Sequence, residues 1–535
     1  MSILVGEYLF RRLKQLGVGT VFGVPDDCEL ALLDLPPKEG LEWMGTPNEL
    51  VGAYAADGYA RYKGFGALVT TFGPGELSAL CGIGRAFCEF VPVVHIVGYP
   101  TTASQHSGRI LHHTLGDGSY DIKPLHQDVW RAFCATTVLK NAATATAEID
   151  RVLTEDVAYS SVPAAGLDAP LYPHIISDPD TEAAVVKEIL AKIEAASSPI
   201  IVVDGGAGRR DWVPFVDKLI AAAQVPFYVT TLGKGAVNET SSLFGGAYCG
   251  AGSPASVIQA VEAADCVLWL GNLPSDFNTG MFSENVKTAN IVDFQRFSVS
   301  VGQAKYATSI THILPKLVTG IQKSGALASR QQSLPPACTP YLVPASETLT
   351  QDYLWPRLSG FLRSGDLVVT ETGTSQVGFL STALPAQASV WTQAVYGSIN
   401  YAAAAAVGAS VAVKATGDYK RIVIVTGEGS LQLTVQAFSI LARHGVPCVV
   451  YTVERYFHGF EAKYNDVPLW DYCALFKAMA LNVPRVQTYK VAKTAELDAL
   501  LNDATIREEA VPKLVELELV YGDAPYLLRG LFGKK

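Results

Sequence analysis

The chain has 535 residues, with 41 Lys or Arg against 51 Asp or Glu, and so a formal net charge of −10. An acidic balance without a basic block argues against nucleic acid or an anionic membrane as partner. A hydrophobic content of 49% is ample for large cores, yet the sequence holds no apolar run of about 20 residues to span a bilayer.

The N-terminal stretch MSILVGEYLFRRLKQLG sets Glu7, Arg11, Arg12 and Lys14 into an apolar pattern. That predicts an amphipathic helix rather than a signal peptide. Short apolar runs at 20–23, 66–71 and 92–97 alternate with helical patterns, which predicts a doubly wound parallel sheet over residues 1–176. The polar stretch 177–181 (SDPDT) marks a boundary. A second α/β unit, 182–325, contains the strand-like PIIVVD at 199–204. The glycines that follow it precede Arg209 and Arg210 without a well-placed acidic partner, so a tight turn is expected there rather than a nucleotide loop. Residues 326–350 are rich in Ser, Pro, Gln and Ala and read as an exposed linker. A third α/β unit occupies 351–535. The fold class expected is therefore α/β, with three doubly wound parallel-sheet domains. Nine scattered cysteines without a CxxC pair read as reduced core thiols of a cytoplasmic protein.

Within the third unit, VTGEGSLQLTVQ (425–436) is the most informative stretch. Ile422, Val423, Ile424 and Val425 predict a buried strand that ends at Gly427-Glu428-Gly429, and a helical pattern follows over 431–442. Such a turn suits a diphosphate: glycines let the backbone approach, and the helix start offers free N–H groups. Glu428 inside the turn would repel phosphate unless a divalent cation lay between them, which points to Mg²⁺. The plain alternative is a βα turn with a solvated glutamate.

GEGS and seven further segments resemble the thiamin diphosphate-dependent 2-oxo acid decarboxylases, the pyruvate decarboxylase family. They are VFGVPDD (21–27), NELVGAYAADGYAR (48–61), TFGPGELSAL (71–80), LHHTLGDG (111–118), SDFNTG (275–280), ETGTS (371–375) and YGSI (396–399). They follow the family's order almost end to end. The resemblance implies a pyrimidine-binding, a central and a diphosphate-binding domain, with thiamin diphosphate and Mg²⁺ as cofactors. It implies that Glu49 activates the aminopyrimidine, and that Asp27, His112, His113 and Glu454 govern protonation and aldehyde release. Gly397, Ser398 and Ile399 match the segment over which the cofactor bends. Thr374, Glu428, Gly429 and Ser430 match the diphosphate side, with Glu428 as metal ligand. Phe277 matches a bulky residue that narrows the pocket in pyruvate-specific members, and Gln376 takes what is usually a small residue's place and adds polarity near it, which together favour pyruvate. The family's assembly is a homodimer or homotetramer with the active site at the subunit interface.

Two departures lie at the metal site. Glu428 stands where the family usually has Asp. After Val450 the chain runs directly into Tyr451-Thr452-Val453-Glu454, and the family's segment with the Asn ligand is absent. Residues Cys448–Val453 are then expected to complete the strand, leaving Glu454 at its end, with weak cofactor retention. Two alternatives stand beside pyruvate decarboxylation. One is an aromatic 2-oxo acid substrate, phenylpyruvate or indolepyruvate. The other is a catalytically silent paralogue.

Overall fold

In a computed structural model of the chain, the described residues are 3–107, 110–114, 132–157, 178–206, 212–325, 343–445, 448–453, 468–481, 483, 485–520 and 522–531. Glu454, residues 207–211 and most of the 326–350 stretch lie outside them. Two compact units are present. One comprises Met1–Ile175, Ala403–Gly417 and Thr434–Ile440, and the other Ile176–Ala402, Asp418–Leu433 and Leu441–Lys535.

The first unit is built on a parallel sheet with spatial order Glu42–Gly45, Thr20–Gly23, Gly66–Thr71, Val93–Gly98. Every residue of Thr20–Gly23 and Gly66–Thr71 is buried. Continuous apolar runs of this kind belong to strands covered on both faces, which is why they were legible. The expected N-terminal helix is Val5–Gln15; it buries Tyr8, Leu9, Phe10 and Leu13, and its Arg12 pairs with Asp150 at 2.7 Å.

The small-residue helix Glu49–Lys63 has a packing reason. A Cβ on Gly58 would fall 2.0 Å from the Ala405 carbonyl oxygen, and one on Gly408 would fall 1.7 Å from that of Ala55. Backbones therefore touch where this helix crosses the helix Tyr401–Thr416, and only glycine fits. Its Asp57 pairs with Arg85 of Pro74–Cys88, while Arg61 and Glu89 extend the buried charge network.

The second unit holds two sheets. One has the order Ala304–Tyr306, Val299–Val301, Ile291–Phe294, Cys266–Leu270, Pro199–Val203, Phe227–Val229, Phe244–Ala247. Val299–Val301 runs antiparallel to both of its neighbours, so this sheet is not wholly parallel as expected; the short turns at 295–298 and at Gly302 permit only hairpins. The other sheet is parallel throughout, ordered Ser389–Trp391, Asp366–Thr370, Arg421–Gly427, Cys448–Val453, Lys513–Leu517, Gln487–Val491.

Within the polar stretch, Asp178 accepts the Thr181 N–H at 2.9 Å and caps the helix Pro179–Ala195. Several sequence expectations are corrected. The 326–350 stretch does not stay exposed to its end. Leu349 is buried and bridges Leu519, because its apolar side chain joins the core of the last sheet. The helix expected over 431–442 begins earlier and is interrupted, as Glu428–Thr434 and Ala437–Arg443. The thiols are only partly core: Cys249, Cys266 and Cys473 are buried, whereas Cys81 and Cys134 are exposed. Among the described residues no helix is long and apolar enough to cross a membrane.

Candidate active site

Each unit gathers one part of the expected constellation. In the first, the chain leaves Thr20–Gly23 at its C-terminal end and places Asp26 and Asp27 there, where ligands of parallel sheets bind. His112 Nε2 lies 3.1 Å from Asp27 Oδ1, and His113 Nε2 lies 3.4 Å from Asp26 Oδ2. The two imidazoles meet edge to face at 4.5 Å between centroids, and Phe72 packs against His113 at 5.6 Å. His113 has φ +67°, and the backbone beside it is held close: a Cβ on Gly73 would come within 2.4 Å of the His113 carbonyl oxygen. Glycine at 73, itself at φ +64°, is therefore required for the His pair to sit where it does.

Thr71 donates to Asp26 Oδ2 at 2.6 Å. Burial alone would raise the Asp26 carboxyl; the Thr71 hydroxyl, hydrogen bonds from Asp27 and the charge of His113 overcome it and hold it below the usual range. The side chains of His112 and Asp27 are 58% and 62% exposed, so their pairing adds little stability and leaves both open to a ligand. Glu49 opens Glu49–Lys63, positioned by Asn48, whose side chain accepts the Val51 N–H at 2.8 Å. Its Oε1 lies 3.2 Å from where a Cβ on Gly75 would stand. Asp27, Glu49, His112 and His113 are the residues expected from sequence. Asp26 and Thr71 were missed; the signal was the doubled acid of PDD.

In the second unit, Glu371 follows the end of Asp366–Thr370 and is fully buried. Its carboxylate accepts the N–H groups of Thr372 at 3.1 Å, Tyr401 at 3.4 Å and Ala402 at 3.1 Å. Burial pushes this carboxyl up to about 7, against the pull of those N–H groups. One side chain thus ties the segment leading to Thr374 to the segment following Gly397, Ser398 and Ile399. Thr374 begins the helix Thr374–Gly378, after Gly373 at φ +119°. Gln393 is a second tie that sequence did not reveal. It is buried, its carbonyl accepts Gln376 Nε2 at 2.8 Å, and its side-chain amide donates to the Ser398 carbonyl. Gln376 is accordingly turned to the backbone of Gln393, and its Oε1 has no partner among the described residues. Gly397 has φ +65° with open space beside it, and Ile399 is 46% exposed.

Glu428, Gly429 and Ser430 form the start of Glu428–Thr434, and the Glu428 carbonyl accepts from Tyr472 Oη at 3.0 Å. The next strand is Cys448–Val453, with Val453 in register with Gly427. Tyr451, Thr452 and Val453 are thus part of the sheet, and the expected Glu454 lies outside the described residues. Phe277 is 38% exposed on a turn organised by Asp204. Asp204 is wholly buried and accepts from Gly205 N, Thr230 Oγ1 and Asn278 Nδ2 at Oδ1, and from Trp269 Nε1 and Leu273 N at Oδ2. Ser275 Oγ then donates to the Ala394 carbonyl at 2.8 Å.

These residues fit a thiamin diphosphate. Glu49 carries a half-buried carboxyl at the start of its helix. Gly373 and Gly397 present open backbone, and the buried atoms Gln376 Oε1 and Thr392 Oγ1 have no hydrogen-bond partner among the described residues. The Glu428 carboxylate is a hard oxygen donor suited to Mg²⁺.

Family models match most of the chain. The thiamine pyrophosphate enzyme N-terminal TPP binding domain matches residues 3–123, the central domain 186–315 and the C-terminal TPP binding domain 371–517. Pyruvate decarboxylase isozyme 3 of Saccharomyces cerevisiae is 39% identical over 558 residues, covering 98% of this chain and 97% of its own. Pyruvate decarboxylase of Hanseniaspora uvarum is 39% identical, with 98% and 96% covered, and that of Aspergillus fumigatus is 37% identical, with 98% and 95% covered.

Proposed function

The chain belongs to the thiamine pyrophosphate enzyme family, and from that premise we propose that it is a carboxy-lyase converting pyruvate to acetaldehyde and CO₂. The observation that carries this reading is the pairing of His112 with Asp27 and of His113 with Asp26 at one sheet end. Bound thiamin diphosphate supplies the electron sink that a 2-oxo acid needs to release CO₂. Glu49 would hold the pyrimidine end, and the segments at Thr374, Gly397–Ile399 and Glu428–Ser430 the rest, with Mg²⁺ on Glu428. His112 and His113, each against an aspartate, would hold and move protons at their Nε2 atoms. Glu454 would take part in the same proton handling.

The domain boundaries we propose are 1–176 for pyrimidine binding, 182–325 for the central domain, 326–350 for the linker and 351–535 for diphosphate binding. A cytoplasmic homodimer or homotetramer with its active site at the subunit interface completes the reading. The test is product analysis over a panel of 2-oxo acids. Acetaldehyde from pyruvate supports it; phenylacetaldehyde alone from phenylpyruvate reassigns the substrate.

A second reading is favoured by one specific feature. Cys448–Val453 runs as strand to the level of Gly427, which draws Tyr451, Thr452 and Val453 into the sheet, and the family's Asn-containing segment is absent from the sequence. A weakly active or silent paralogue follows if Glu428 and water cannot hold the metal. Inserting an Asn-containing segment after Val450 tests this. Higher thiamin diphosphate affinity and activity together would support it, and unchanged affinity would remove it.

A further inference from the structure

Beneath Asp26 and Asp27 lies another carboxyl group with no part in the constellation described. Glu29 is 1% exposed, and neither of its carboxyl oxygens has a hydrogen-bond partner of good geometry among the described residues. It precedes the short helix Leu30–Leu33 and packs against the end of Val93–Gly98. A Cβ on Gly98 would stand 2.5 Å from Glu29 Oε2, so glycine there leaves the space that the carboxyl fills. The charged groups that act on it most strongly are Asp26, Asp27 and Glu49, and Cys28 is the neighbouring thiol. None of these is cationic. A carboxylate placed so would be desolvated, unpaired and repelled, so the neutral acid is the stable form. Burial first, and then the charge of Asp26, push it up to about 8, against a weaker pull from the Asp26 backbone.

We propose that Glu29 is a positioning residue: it remains an uncharged carboxylic acid and limits the negative charge around Asp26, Asp27 and Glu49, so that this group can pass on the proton that decarboxylation consumes. The inference rests on the decarboxylase reading. Loss of CO₂ breaks a C–C bond and leaves its electron pair on the former keto carbon. One proton must then arrive to form the aldehyde C–H bond, so each turnover draws one proton from solvent through the acidic groups. Once Glu29 ionises, it adds a further negative charge beneath them. A proton passing through them is then held more tightly in transit, and transfer slows.

Glu29→Gln keeps the size and removes the titration, and Glu29→Met does the same with an apolar end if the first variant folds poorly. Two readouts separate the questions. Thermal midpoints from about pH 6 to about pH 9 need no substrate and report the buried proton alone. The variant should gain on the parent from about pH 6 up to about 8 and level off above it, because over that range the folded parent keeps a proton that its unfolded chain releases. The alkaline limb of kcat/KM for pyruvate should move upward in the variant. At one pH unit above its midpoint the parent keeps the acid form in about one molecule in ten, so the variant-to-parent ratio should rise about tenfold by pH 9. A midpoint difference that stays constant with pH would overturn the neutral acid, whether or not the protein decarboxylates anything. A pH-dependent midpoint with an unmoved alkaline limb would overturn the positioning role. Absence of turnover with every 2-oxo acid tried would overturn the decarboxylase reading and this role with it, while the thermal arm would still read the state of Glu29.

Discussion

The buried carboxylate of Glu371 accepts the backbone N–H of Ala402 at 3.1 Å and so caps the helix that follows Gly397, Ser398 and Ile399. Its folded pKa, about 7, lies above its ordinary 4.5, so the folded state keeps a proton that the unfolded chain releases. This group's contribution to stability is therefore fully present below about pH 4.5 and lost as pH rises through 7. The full difference is roughly 3 kcal/mol at most. Glu371→Gln should flatten that part of the stability–pH curve, measured by urea denaturation, and should weaken thiamin diphosphate binding because a Gln amide turns a donor toward helix N–H groups. A stability curve with unchanged pH slope would show that Glu371 does not titrate in this window.

Asp204 is predicted to be the costliest single polar position of the second unit. Asp204→Ala leaves Thr230, Trp269 and Asn278 donors without their shared acceptor, and each buried unsatisfied donor costs about 1–3 kcal/mol, not additively. A loss of about 2–4 kcal/mol in urea unfolding is expected, with a rise in KM as the Ser275–Gly280 turn loosens. A loss within experimental scatter would contradict the hub.

Glu49→Gln should abolish turnover while leaving the circular dichroism and thermal midpoint close to those of the parent. The side chain is half-buried and its helix is capped by Asn48, so the fold does not depend on its charge. Full activity in that variant would remove Glu49 from the mechanism.

Phe277 and Gln376 should part company. Phe277→Ala is expected to raise kcat/KM for phenylpyruvate relative to pyruvate if the ring narrows the pocket. Gln376→Ala is expected to weaken cofactor binding instead, since its amide holds the Gln393 carbonyl at 2.8 Å rather than standing free. Two variants with the same substrate shift and unchanged cofactor affinity would restore the simpler expectation that both line the pocket.

What was legible in the sequence follows from burial and local chemistry. Thr20–Gly23, Gly66–Thr71 and Cys448–Val453 read as strands because continuous apolar runs of that length have few other uses. Glu49, Asp27 and the His pair were legible through motif order. Asp204, Glu371 and Gln393 were not, because their partners lie far off in sequence or are backbone groups that carry no residue signature: Asn278 for Asp204, Ala402 for Glu371. Glu29 was hidden for a different reason. Its environment is set by what fails to contact it. The break after Thr434 escaped notice because the apolar periodicity continues across it.

The most direct test is CO₂ release from pyruvate by the purified full chain, with thiamin diphosphate and Mg²⁺ supplied in excess and with each omitted in turn. The account predicts release that requires both additions and disappears in Glu49→Gln. A folded chain that binds thiamin diphosphate in calorimetry, yet releases no CO₂ from any 2-oxo acid, would contradict it.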